Sequence, residues 1–108
     1  MRIRSDISSD YISDKDIALA EIADALAHPL RVALFRYVKT KNSGQGVDNE
    51  TCNKDLVNMF NYSQSTISQH VKILKNCGLF VTESKDKFTF YYVNIDLLNQ
   101  FKNDLDFL

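Results

Sequence analysis

Apolar positions recur at helical spacing in five stretches and alternate at strand spacing in one more, and this pattern lays out the chain. Ser13 followed by Asp16 has the form of a capping box with Asp in place of Glu. Ile17, Leu19, Ile22, Ala23 and Leu26 then carry a first helix to Ala27. Pro29, at a first helical position where a missing N–H costs nothing, opens a second helix. Leu30, Ala33, Leu34, Tyr37 and Val38 line one face of it, to about Lys39. The stretch from Lys41 to Glu50, with Gly44 and Gly46 among Asn, Ser, Gln and Asp, is expected to be a flexible loop. Asn53 is the expected cap of a short third helix through Phe60, and Asn61 suits the left-handed turn that ends it.

Ser63 caps a fourth helix, Gln64 to Asn76, which Gly78 stops. On its wheel Ile67, Val71 and Leu74 fall together and face inward. Ser65, Ser68, Gln69, Lys72 and Asn76 gather on the other side, a polar stripe without a single acid. A merely solvated helix face more often pairs Glu with Lys at four-residue spacing. Leu79 to Glu83 and Phe88 to Val93, with Ser84 to Lys87 as a polar turn, form a β-hairpin in which Phe88, Phe90 and Tyr92 point opposite to Thr89, Tyr91 and Val93. Asn94 or Asp96 caps a last helix whose apolar stripe is Leu97, Leu98, Phe101, Leu105 and Leu108. The fold class is mainly α with a β-hairpin wing: four helices, a hairpin and a closing helix, the third and fourth forming a helix-turn-helix.

Length and composition add limits. The 108 residues, 44% hydrophobic and 25% charged, suit one domain over residues 1–108, with 1–12 as a flexible tail. The longest apolar run, Ile17 to Ala20, is far too short for a bilayer, and Met1 to Tyr11 lacks a secretion signal's apolar core, so a cytoplasmic protein is expected without a membrane partner. The net charge of −1 gives no global sign of nucleic-acid binding. Counted by segment the picture changes: Thr51 to Tyr92 holds five lysines against three acids, while the flanking segments are negative.

The segments ALAHPLRVALFRYV (Ala25 to Val38) and YSQSTISQHVKILKNCGL (Tyr62 to Leu79) resemble the ArsR/SmtB family of winged helix-turn-helix transcriptional regulators. The resemblance covers nearly the whole chain. It implies a homodimeric repressor without catalytic activity, binding a palindromic operator in double-stranded DNA through the helix Gln64 to Asn76. Gln64, Ser65, Ser68 and Gln69 are then the base-reading candidates, the amides being able to pair bidentately with adenine. Ser63, which caps the helix, is a further DNA-binding candidate, Thr66 and His70 lie where they could touch the backbone, Lys72 can neutralise a phosphate, and Lys85 and Lys87 at the wing tip would enter or straddle the minor groove. Ile17, Leu97, Leu98, Phe101 and Leu105 are the expected dimerisation residues.

Members that sense metals or arsenic carry paired thiols in a pattern like ELCVCDL; the matching segment here is ETCNKDL, Glu50 to Leu56. Lys54 stands at the second thiol position, and Leu98 where other members have a zinc-binding histidine. No metal or other cofactor is therefore expected. Cys52, close to Lys54 and to a helix start, is a redox candidate, and Cys77 reads as a small apolar residue. A small-molecule or redox inducer is a candidate partner. The competing reading is a winged helix used for protein contact, with weak or no specific DNA binding.

Overall fold

The structure is a computed structural model and describes residues 11–44 and 50–108. The expected tail falls mostly outside these residues, as does the centre of the expected loop. Eight elements follow one another: α1 (Asp14–Ala25), α2 (Pro29–Ser43), β1 (Thr51–Cys52), α3 (Asn53–Phe60), α4 (Gln64–Asn76), β2 (Phe80–Lys85), β3 (Phe88–Val93) and α5 (Ile95–Phe107). The three strands form an antiparallel sheet in the order β1-β3-β2. This is a winged helix-turn-helix with a third, very short strand on the inner edge of the wing.

Local chemistry sets most of the boundaries. The Ser13 hydroxyl accepts from the Asp16 amide at 3.1 Å and the Asp16 carboxylate accepts from the Ser13 amide at 2.9 Å, the reciprocal box expected from the sequence. Asn61 is left-handed (φ 55°, ψ 39°) at the end of α3, and Ser63 caps α4 through the Thr66 amide at 3.2 Å. Asn94 caps α5 through the Leu97 amide.

Several boundaries differ from those expected from the sequence, each for a visible reason. Helix α1 stops at Ala25 rather than Ala27. Pro29 has no N–H to give to the Ala25 carbonyl, and the Arg31 guanidinium supplies it instead, with Nε at 2.6 Å. Helix α2 runs on to Ser43, so Lys41 to Ser43 are helical and not loop. Asn42 in that last turn accepts from the Val93 amide at 2.9 Å, beyond the point where β1 pairs with β3. The cap of α3 is Cys52, one residue before Asn53, and its amide donates to the Asp55 carboxylate at 2.9 Å. In the wing, β2 continues through Ser84 and Lys85, leaving Asp86 and Lys87 as a two-residue turn with Asp86 at φ 55°.

The core joins all these layers. Leu34 and Val38 of α2, Leu56 of α3, and Ile67 and Leu74 of α4 are fully buried, together with Leu79. Rings stack from Phe35 through Phe80 to Tyr91, each step 5.9 Å between centroids, so the wing is anchored in the same core as the helices. Burying Ile67, Val71 and Leu74 fixes the rotation of α4 and turns its polar side to solvent.

Candidate nucleic-acid interface

Helix α4 presents Gln64, Ser65, Ser68, Gln69 and Lys72 as exposed side chains, opposite its buried stripe. The acid-free face drawn on the wheel is thus an outer surface of the folded chain. The remaining candidates on α4 have partners within the protein. The Ser63 hydroxyl accepts from the Thr66 amide and donates to the Thr66 hydroxyl at 2.9 Å, so both side chains are engaged in starting the helix.

His70 is half-buried and turned towards α2. Its Nδ1 lies 3.2 Å from the Arg31 guanidinium, and because arginine can only donate, the imidazole accepts there. Arg31 at the same time donates to the carbonyls of Ala25 and Asp24, tying the end of α1 to α4. His28 packs on His70, with ring centroids 4.7 Å apart, and caps α2 by accepting the Leu30 amide. Burial first, then His28 and Arg31, hold the His70 pKa below its ordinary value.

The two wing-tip lysines divide. Lys85 pairs with Glu50 at 3.1 Å and its ammonium sits 5.8 Å from the Phe90 ring centre. The hydrogen bond to Glu50 raises its pKa. Lys87 lines a cleft of about 310 Å³ between the wing and the start of α4, where it faces Lys54, Gln64, Ser68 and Thr89. A neighbouring cleft of about 330 Å³ lies further along α4 and shares Ser68, Thr89 and Tyr91; Lys72, Lys75 and Thr82 complete its polar wall. Lys54, Lys75, Thr82 and Thr89 were not singled out in the sequence as interface residues. The excess of lysine between Thr51 and Tyr92 signalled the region, but only the fold shows which lysines share a wall.

The same segment of chain is shared with known proteins. Residues 47–80, a range that includes α3 and α4, match the family model described as bacterial regulatory protein, arsR family. That stretch is similar to the helix-turn-helix of the arsR family. Solved structures of low identity share the fold. An ArsR-like transcriptional regulator from Rhodococcus sp. RHA1 superposes with a TM-score of 0.70 at 19% identity, over 83% of this chain and 77% of that one. The homodimeric winged helix-turn-helix DNA-binding domain Mb0332 from Mycobacterium bovis gives 0.66 at 18% identity, over 95% and 85%. The transcriptional repressor BigR from Xylella fastidiosa gives 0.63 at 19%, over 90% and 92%. No curated protein matches by sequence. The family model and the superposed structures thus agree on a winged helix-turn-helix fold, and both come from proteins described as transcription regulators.

The other candidate sites fall as follows. Leu98 is only 8% exposed and belongs to the chain's own core, with Leu97 and Phe101 packed against it. Leu98 thus buries most of its side chain in the chain's own core. Ile17 is half-buried, whereas Leu105 and Phe107, in the last turn of α5, are 46% and 76% exposed. Helices α1 and α5 pack together, and within that contact the buried Asp104 accepts from Gln100 at 3.1 Å and pairs with Lys15 at 3.7 Å. Both cysteines are free. Cys52 Sγ donates to the Asp55 carboxylate at 3.4 Å; burial, foremost, pushes the Cys77 thiol up. Among the described residues no three His, Cys, Asp or Glu side chains are grouped so as to hold a metal ion, and no helix is long and apolar enough to cross a membrane.

Proposed function

We propose that this protein is a cytoplasmic, homodimeric repressor that reads a palindromic operator with α4. The observation that carries the reading is the outer face of that helix. Gln64, Ser65, Ser68, Gln69 and Lys72 are exposed together, uninterrupted by an acid, on a helix whose rotation the core fixes. Short hydroxyls and amides of this kind suit base edges in a major groove, and a lysine beside them suits a phosphate. The homodimer and the repressor role are drawn from the Mycobacterium bovis domain and from BigR, with which the chain shares its fold. Two copies of α4 about one helical turn apart would each meet a half-site.

Fluorescence anisotropy with a duplex from the protein's own promoter region tests this. Changing Gln69→Ala together with Ser65→Ala should weaken specific binding by about 1 to 3 kcal/mol for each bidentate pairing with a base that the change abolishes, with little effect on random duplex. Equal affinity of the wild-type protein for promoter and random duplex at physiological salt would point instead to a protein-contact winged helix. Lys54 at the second thiol position and Leu98 at the histidine position support an inducer other than a metal held at those sites, and Cys52 is the residue on which an oxidant would be tested.

A further inference from the structure

We infer that the two clefts between α4 and the wing form one seat for a DNA phosphodiester backbone, and that Lys54 and Lys75 are contact residues of that seat. The inference rests on the proposed DNA-binding role and says which strand path the protein holds.

The clefts adjoin. Ser68 of α4 and Thr89 of β3 border both, so the two spaces are one furrow along the side of α4. Four lysines line it: Lys54 at the start of α3, Lys72 and Lys75 along α4, and Lys87 at the wing turn. Among the described residues no acid lines either cleft, although the chain as a whole carries fourteen acids to thirteen bases. The opposite side of α4 shows the contrast, since the groove it forms with α1 is bordered by Glu21 and Asp24. The positive wall is thus a local arrangement, set against the sign of the whole molecule.

The furrow also has the neutral donors a phosphodiester needs. The hydroxyls of Ser68, Thr82 and Thr89 face it between the lysines, so that an anionic oxygen can be hydrogen-bonded as well as neutralised. Its position beside the exposed Gln64 and Gln69 would let one strand lie in the furrow while the outer face of α4 meets the groove. Lys87 is part of this wall, and Lys85 is paired with Glu50, so the wing tip holds the backbone from the side facing α4.

The salt dependence of binding tests the seat. Each phosphate interaction removed should make the slope of log K against log salt shallower by roughly one unit. Lys54→Gln and Lys75→Gln, both exposed and distant from the core, should each show this effect, and should weaken promoter and random duplex by the same factor. Lys102→Gln, on α5, serves as the control and should leave the slope unchanged. Circular dichroism spectra matching the wild type should accompany both variants, as a check that they fold. Unchanged slopes for Lys54→Gln and Lys75→Gln on either duplex would overturn the seat. Failure of the wild-type protein to prefer its promoter, with slopes still dependent on the two lysines, would instead overturn operator reading and leave the seat standing. Titration with inorganic phosphate is the remaining arm: saturable amide shifts around Lys54 without any effect of the lysines on DNA slopes would mark a free-anion site and overturn the assignment.

Discussion

Gly78 shows how much a single position carries. It sits at φ +93° just after α4, a backbone conformation that strains any residue with a side chain, and an added Cβ would meet the Leu97 Cδ2 at 3.2 Å, so that methyl would have to give by a few tenths of an ångström. Gly78→Ala should lower unfolding free energy by about 1 to 3 kcal/mol in urea titrations. His70 carries a different kind of dependence. Its folded pKa is lowered, so as pH falls below the ordinary histidine value of about 6.5 the unfolded chain takes up the proton first. The stability associated with this residue is complete above that pH and is lost as pH drops through the lowered value. Thermal melts from pH 7.5 to 5.5 should show that loss, and His70→Gln, whose amide oxygen can still accept from Arg31, should flatten it.

At the scale of elements, the helix-turn-helix was the most legible part of the sequence. Its punctuation is chemical and local: Asn61 in a left-handed turn, Ser63 at a cap, Gly78 at a stop, and an apolar triplet that fixes which side of α4 is inside. What the sequence does not disclose depends on contacts between residues distant along it. Thr51–Cys52 is too short to alternate, and becomes a strand because it pairs with Tyr91 and Phe90. The last turn of α2 is polar, and Asn42 makes it useful by bonding to β3 forty-nine and fifty-one residues away. The stripe on α5 illustrates the same limit. Periodicity identifies Leu97, Leu98, Phe101 and Leu105 as one apolar face, but not that Leu98 is covered by its own chain while Leu105 is left outside. A dimer seam on α5 should therefore depend on Leu105. Leu105→Glu is expected to leave the circular dichroism spectrum intact and to halve the mass measured by light scattering; an unchanged mass would remove α5 from the seam.

For the molecule as a whole, the near-neutral composition hides a separation of charge. The lysines of α3, α4 and the wing border one furrow, while acids border the groove between α1 and α4 and occur along α5. Lys54 is instructive here. In the sequence it is the residue that displaces the second thiol of the resembled metal-sensing pattern; in the fold it shares a wall with Gln64 and Lys87. One substitution would then exchange a ligand for a cation on the proposed DNA side.

The bond from Asn42 to Val93 has a mechanical consequence. It pins β3 at its root, next to the ring stack through Tyr91, whereas the hairpin's far end is braced by the exposed pair of Lys85 and Glu50. The wing should accordingly behave as a cantilever, stiffer at the buried clamp than at the turn, where only an exposed ion pair holds it. Hydrogen exchange should be graded along β3, slowest at Val93 and fastest towards Phe88. Asn42→Ala should loosen the clamped end and erase that gradient.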